Sequence, residues 1–424
     1  MLYINSHMMI FLIILLLIDL YAFQAFRFIT RGYSKTAIRR IKTLFWFISC
    51  FCFALIVFTQ LSDWHSWNIY FRTYSIALLI ILIPSKIILV LFVLVDDLVR
   101  FSRWLYLKIS PWFKRPGPKE YVQQANTLSR SDFIIKTGLL IGSIPFFSMI
   151  YGMAFNPYNY RIRKLRLILH DLPVSFDGFK IVQVSDIHTG SFLSTEPLTR
   201  AVSLINDQKP DVVFFTGDLV NYNHTEALNY IDTLKKIEAK HGVFSIFGNH
   251  DYGDYYKWNN IEEKENDILE LKKIHGLLGW NLLWDENRII EQGGEKITLI
   301  GVQNCSSHGF SNYGSMEKAT TNIKYSSVNI LLSHDPSHWR KEVIKKYPNI
   351  NLTLSGHTHG MQFGVEIHGL KWSPIQYIYK EWAGMYKEKN QYLYVNRGLG
   401  FIGYPGRVGI LPEITVIELK KKEL

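Results

Sequence analysis

The stretch Leu354–Gly360, LSGHTHG, sets His357 and His359 one residue apart, directly behind the apolar-rich run NLTLSG. Alone it is ambiguous, because imidazoles are common at strand ends and an isolated HxH is a weak signal. Four further stretches share its grammar. GFKIVQVSD runs into Asp186 and then His188, DVVFFTGD into Asp218, VFSIFGNHD into Asn249, His250 and Asp251, and VNILLSHD into His334. Each is a short apolar run, as expected of a buried strand, that stops abruptly at oxygen or imidazole donors. In α/β sheets ligands gather beyond the carboxyl ends of the strands, so five such strands converge on one crevice.

Asp186, His188, Asp218, Asn249, His334, His357 and His359 make seven donors, with His250 beside them. One tetrahedral ion takes four, so the set suits two ions that share a bridging carboxylate. If the chain stays extended through GHTH, side chains at i and i+2 project to the same side; both imidazoles then face the crevice, and each can serve a different ion. Glycines stand directly before Asp218, Asn249 and His357, where a sharp turn needs unusual dihedrals or close packing. Two cations about 3.5–4 Å apart suit phosphoryl transfer, because they acidify a bridging water and neutralise the attacking and leaving oxygens. His250 is a candidate to protonate the leaving oxygen, with Asp251 as its orienting partner.

Between these runs lie helical candidates at 197–208, 227–241 and 261–276, and EQGGEKITLIGVQ reads as a hairpin turned at Gly293 and Gly294. From about residue 160 this alternation predicts an α/β or α+β domain. The preceding part differs. Residues 8–26, 44–61, 75–95 and 133–155 are apolar and long enough to cross a bilayer, which needs about 20 helical residues. Residues 1–159 therefore read as a membrane domain of four transmembrane helices, and 160–424 as the catalytic domain.

Of the net charge of +11, residues 1–159 carry sixteen Lys and Arg against six Asp and Glu, leaving 31 against 30 in the remainder. The near-neutral catalytic part argues against a nucleic-acid partner. Arg27, Arg31, Lys35, Arg39, Arg40 and Lys42 separate the first two spans, and Arg100 to Arg130 supply seven more basic residues between the third and fourth. By the positive-inside rule these loops are cytoplasmic, which sends the catalytic domain to the extracytoplasmic side of a bacterial inner membrane. Arg161, Arg163, Lys164 and Arg166 pull the other way. Asp19 and Lys86 fall within spans, where an ionisable group is either functional or else satisfied, here by each other or by snorkelling. The three cysteines form no disulfide framework.

The ordered set DxH, GDxxN (Gly217–Asn221), GNHD, a later His and GHxH resembles the calcineurin-like metallophosphoesterase superfamily, over about residues 175–415. NRGLGFIGYPGR (Asn396–Arg407) and LPEIT (Leu411–Thr415) resemble its bacterial membrane-associated branch, which includes relatives of UDP-2,3-diacylglucosamine pyrophosphatases. The resemblance implies a four-layer α/β sandwich, two mixed sheets flanked by helices. It implies Asp186, His188 and His359 as ligands of one ion, Asn249, His334 and His357 of the other, and Asp218 as the bridge, with manganese, iron or zinc bound. Two departures stand out: Met361 where this branch usually has glycine, and Gln303 with Asn304 where an acidic pair is common.

The function implied is a membrane-anchored, dinuclear phosphohydrolase that cleaves a phosphodiester or pyrophosphate in a lipid-linked or membrane-proximal substrate. Arg397 and Arg407 are candidates for a second phosphate. The aromatic-rich run from Lys371 to Val395 either lines an acyl groove or supplies ordinary strands. One alternative is UDP-2,3-diacylglucosamine hydrolysis, which needs a cytoplasmic site. Another is a non-catalytic sensor or scaffold, which predicts missing ligands; none of the seven is missing.

Overall fold

The computed structural model describes residues 6–30, 32–64, 67–110, 130–367 and 369–422, and the chain divides into two compact units, Met1–Ile150 and Tyr151–Leu424. Helices α1 (Ser6–Ile29), α2 (Lys35–Leu61), α3 (Ile69–Ile109) and α4 (Arg130–Phe155) are each long and apolar enough to cross a membrane. Their large side chains, such as Ile13, Leu17, Phe47 and Leu140, mostly face outward, as suits helices that are apolar all round. Ser34 and Asn68 cap α2 and α3 by accepting from first-turn amides.

Helix α3 is longer than the expected span of 75–95, because no glycine or proline interrupts residues 85–110 and Arg100 reaches back one turn to Asp96 at 3.0 Å. Arg100, Arg103 and Lys108 thus extend a helix instead of a loop. Arg31, Lys114, Arg115 and Lys119 of the basic loops lie outside the described residues. Lys86 Nζ lies 2.6 Å from Asp19 Oδ1 and 3.0 Å from Ser49 Oγ, so the two intramembrane charges satisfy each other.

Among the described residues the second unit holds fourteen strands: β1 (Arg161–Leu169), β2 (Lys180–Val184), β3 (Val212–Phe215), β4 (Val243–Ser245), β5 (Trp280–Leu282), β6 (Glu286–Gln292), β7 (Glu295–Gly301), β8 (Asn329–Leu332), β9 (Leu352–Ser355), β10 (Val365–Ile367), β11 (Leu370–Trp372), β12 (Gly384–Glu388), β13 (Gln391–Val395) and β14 (Glu413–Lys421). They order as β1-β14-β2-β3-β4-β5, as β12-β13-β9-β8-β7-β6, and as the hairpin β10-β11. Both six-stranded sheets are mixed; β2, β3, β4 and β5 run parallel, as do β7, β8, β9 and β13.

Alternation explains the layers. Ile181, Val212 and Phe214 of one sheet share a core with Leu299, Ile330, Leu332, Leu352 and Leu354 of the other. The intervening Val182, Val184, Val213 and Phe215 bury against helices α5 (Glu196–Asn206) and α7 (Ile261–Leu277), while Ile300, Leu331 and Val395 bury against Trp339 and Val343. Strands covered on both faces read as unbroken apolar runs, which is how the sequence shows them. The β6–β7 hairpin turns at Gly293 and Gly294, both at positive φ.

The helix expected over 227–241 is curtailed: a 3₁₀ segment (His224–Tyr230) leads into α6 (Ile231–Leu234) and then turns. Asn206 takes the chain over, donating to Lys236 O at 2.7 Å and accepting from Glu238 N at 3.0 Å. A side chain that supplies both partners offers the backbone an alternative to continued helix.

Candidate metal centre

β2, β3, β4, β8 and β9 end on one side of the sandwich, and their trailing loops interlock. Asp186 N donates to Gly217 O at 2.8 Å, His188 N to Asp218 O at 3.1 Å, Gly356 N to His334 O at 2.9 Å, and His357 N to Asp186 Oδ1 at 2.9 Å. Two donor groups result. Asp186, His188 and His359 present ligand atoms all within 4.8 Å of one another, as do Asp218, His334 and His357. Asn249 joins the second group, its Oδ1 2.7 Å from His357 Nδ1 and 3.1 Å from His334 Nε2. Asp218 faces both groups: Oδ2 lies 3.2 Å from His334 Nε2 and 3.7 Å from His188 Nε2.

The extended conformation expected for GHTH is not what separates the two histidines. β9 stops at Ser355, and His357 and His359 adopt left-handed φ of 74° and 50°, as do Asp186 (52°), His188 (52°) and Asp218 (62°). Each positive φ swings the next carbonyl and side chain out of strand register, so His357 turns toward Asn249 and His359 toward His188, whose Nε2 is 3.0 Å away. A left-handed non-glycine residue costs about 1–2 kcal/mol, so five of them store strain that the interlocked loops hold. The glycines contribute differently. Gly217 itself has φ of 96°, whereas at Gly356 an added Cβ would collide with Asp186 Oδ2 and Ser185 Oγ.

Asp251 is not the orienting partner of His250. Its fully buried carboxylate accepts from four backbone amides: Gly248 and Asp218 at 2.8 Å each, Leu219 at 2.7 Å and Val220 at 3.2 Å. It therefore ties the GDLVN loop to the GNHD loop. His250 is oriented instead by Asn221, whose carbonyl lies 2.8 Å from Nδ1. That contact places the proton on Nδ1 and leaves Nε2 free.

Arg397 and Arg407 also depart from expectation, since both are buried and already partnered. Arg397 pairs with Glu413 and, at 2.7 Å, with Glu366. Arg407 donates to the carbonyls of Gly400, Arg397 and His359, and its Nη2 lies 3.2 Å from His359 Nδ1. Both guanidiniums are thus engaged within the fold, and Arg407 positions a donor. Gln303 replaces an acid by bonding one, its Nε2 donating to Asp285 Oδ2 at 2.7 Å, while Asn304 Nδ2 donates to Ser311 O at 2.8 Å. Exposed Met361 sits at φ of 56°, a conformation glycine adopts without strain.

Electrostatically the pocket divides its imidazoles. Burial opposes ionisation of Asp218, yet the imidazoles of His334 and His250 hold its carboxyl well below the usual range. Burial likewise disfavours a charged His334, but Asp218 lifts that imidazole to about 10. Farther from a carboxylate, burial takes His188 down to about 3. His334 Nδ1 is fixed by Thr216 O at 2.7 Å, which aims Nε2 inward, the outer-shell arrangement of a metal-ligating histidine. The donor types, their convergence and this second shell fit two divalent cations.

Two tyrosines completing the site have no motif to announce them. Tyr255 accepts from Asn249 Nδ2 at 2.9 Å and packs on the His250 ring at 4.4 Å, and Tyr379 Oη lies 2.8 Å from His357 Nε2. Tyrosine is frequent throughout the chain, so only packing distinguishes these.

A family profile described as "Probable Calcineurin-like phosphoesterase, transmembrane domain" matches residues 5–157, and one described as "Calcineurin-like phosphoesterase" matches 179–361. The uncharacterized metallophosphoesterase YkuE of Bacillus subtilis (strain 168) is 33% identical over 255 residues, 59% of this chain and 82% of that protein. A transmembrane protein with metallophosphoesterase domain from Danio rerio is 28% identical over 64% of this chain, which spans 60% of that protein. Among solved structures, the Haemophilus influenzae NAD nucleotidase aligns over 52% of this chain and 45% of that one, with 16% identity and a TM-score of 0.36.

Proposed function

We propose, for a chain that belongs to the calcineurin-like metallophosphoesterases and is thus a membrane-embedded phosphoester hydrolase, a dinuclear site acting on lipid-borne phosphate. Asp186, His188 and His359 would hold one divalent ion, Asn249, His334 and His357 the other, and Asp218 would serve both. The observation that carries this is Asp218 Oδ2 lying within reach of one imidazole from each donor group. The nitrogen and oxygen donors suit manganese, iron or zinc. When bound, such a pair supplies Lewis-acid charge for the phosphoryl oxygens and acidifies the attacking water.

The chain's own residues supply positioning and proton transfer. Asp251 locks the loops of Asp218 and Asn249 together, and Arg407 and Tyr379 hold the outer nitrogens of His359 and His357. His250, its Nδ1–H engaged by Asn221, protonates the leaving oxygen as an imidazolium, giving up the second proton that Nε2 has taken from water and returning to the neutral Nδ1–H form. The substrate is a phosphodiester or pyrophosphate on a lipid-linked molecule, a reading supported by the four-helix anchor. The protein resides in a bacterial inner membrane with residues 160–424 on the extracytoplasmic side. The basic residues after α4 do not oppose this strongly, since Arg163 is paired with Glu366 and Arg166 with Glu418 within the folded unit.

The deciding experiment assays the detergent-purified full chain on lipid pyrophosphates, nucleotide sugars and bis(4-nitrophenyl) phosphate, after chelation and after adding back Mn, Zn or Fe. Hydrolysis should vanish with the chelator and return with metal. Asp218→Asn should lower kcat/KM by about 1000-fold, with reduced metal content by elemental analysis. Full activity of Asp218→Asn would sink the two-ion reading, and selectivity for nucleotide sugars would sink the lipid one.

A further inference from the structure

We infer that the β10–β11 hairpin and the turn after it form a seat in the membrane surface, an inference that rests on the lipid-borne substrate reading for its functional meaning. Ile367 and Leu370 face each other across the hairpin and are 60% and 61% exposed; Tyr377 and Ile378 nearby are 78% and 59% exposed. Trp372 Nε1 lies 3.4 Å from Tyr377 Oη, joining hairpin and turn into one patch. Two aliphatic tips, aromatic edges and the exposed cation Lys380 make the composition of an interfacial segment.

The occupant follows from continuity. Gly364 N donates to Val408 O at 2.9 Å, Val408 N to Gln362 O at 2.8 Å, and Arg407 N to Gly152 O at 3.2 Å. Asn156 Nδ2 donates to Arg407 O at 3.0 Å. The hairpin is thus one hydrogen-bonded segment away from Tyr151–Phe155, the last turn of an apolar helix. Tyr151 and Phe155 there present exposed rings 4.9 Å apart, an aromatic pair of the kind that marks the end of a span. At its other end the patch touches the metal centre, because Ile378 is followed by Tyr379, whose hydroxyl bonds His357. A bilayer seated on Ile367, Leu370, Tyr377 and Ile378 brings headgroup phosphates to the donors without lifting a lipid into water.

The test uses the full chain with Cys50, Cys52 and Cys305 replaced by serine, a cysteine at position 370, and a polarity-sensitive nitrobenzoxadiazole label. In nanodiscs of phosphatidylglycerol and phosphatidylcholine, brominated acyl chains should quench this label at least about twofold more than the same label at exposed position 277. Equal quenching at the two positions overturns the seat, as does label self-quenching between copies, which would make a second chain the occupant. Ile367→Ser/Leu370→Ser/Tyr377→Ser should lose about tenfold in hydrolysis of vesicle-borne phosphate while keeping bis(4-nitrophenyl) phosphate hydrolysis in detergent. An equal loss on both substrates overturns the proposal in favour of a folding role. Quenching at 370 in a protein that hydrolyses no lipid phosphate leaves the seat standing and removes the substrate reading; the reverse pair of results does the opposite.

Discussion

In the membrane unit Asp19 and Lys86 meet at 2.6 Å with Ser49 completing the ammonium's contacts, whereas in the globular unit Asp218 stands among His188, His334 and His250 with Asp186 close by. Both places bury charge. The first neutralises itself, so it needs only its two partners and relaxed helical backbone. The second collects donors whose lone pairs converge, and it keeps them converged with five left-handed residues, a four-amide carboxylate and a buried arginine. A self-satisfied pair is a stability device; donors held together against strain and repulsion make sense only for a ligand that rewards the arrangement.

The sharpest way to break that contrast is Asp251→Ala. It leaves four buried amides without an acceptor and should cost about 4 kcal/mol or more in stability, read by denaturant unfolding. Activity should fall by about 100-fold, since the loops of Asp218 and Asn249 separate. Wild-type activity in that variant would mean the strain is held elsewhere.

A middle-sized effect tests the membrane pair. Asp19→Leu leaves Lys86 without its counter-charge and should destabilise by about 3 kcal/mol, visible as a lower midpoint of thermal unfolding in detergent. The double replacement Asp19→Leu/Lys86→Leu should recover most of that loss and leave kcat unchanged on a soluble diester. Loss of kcat in the double variant would make the pair functional and erase the distinction.

The smallest effect comes from Met361→Gly. Removing the side chain at φ of 56° relieves about 1 kcal/mol of backbone strain, so the unfolding midpoint should rise slightly. An unchanged or lower midpoint would show that the methionine side chain offsets its own backbone.

Much of the donor set is legible in the chain because its signals are local. Strands covered on both faces spell themselves as apolar runs, and donors end those runs because α/β sheets present ligands beyond their carboxyl ends. The four spans are equally local, being set by length and apolarity, although α3 runs on to Ile109 where no breaker stops it. What the chain conceals depends on partners distant in sequence. The pairing of Asn206 with residues 236 and 238 curtails a helix that periodicity alone extends. Arg407 and Arg397 look like phosphate binders until Glu413, Glu366 and the 398–400 carbonyls occupy them.

The sequence by itself determined the α/β class, the apolar helices and the seven candidate donors, because each follows from residue type and spacing along a single element. Only the tertiary structure decided how those donors are aimed. HxH in an extended strand and HxH in two left-handed turns are the same letters, and the choice between them is made by hydrogen bonds such as that from His357 N to the Asp186 carboxylate, 171 positions away. Asp251, one residue from His250, serves Gly248 and three amides some thirty residues away, for the same reason: a buried backbone donor takes the acceptor that folding brings to it, not the one that sequence places beside it.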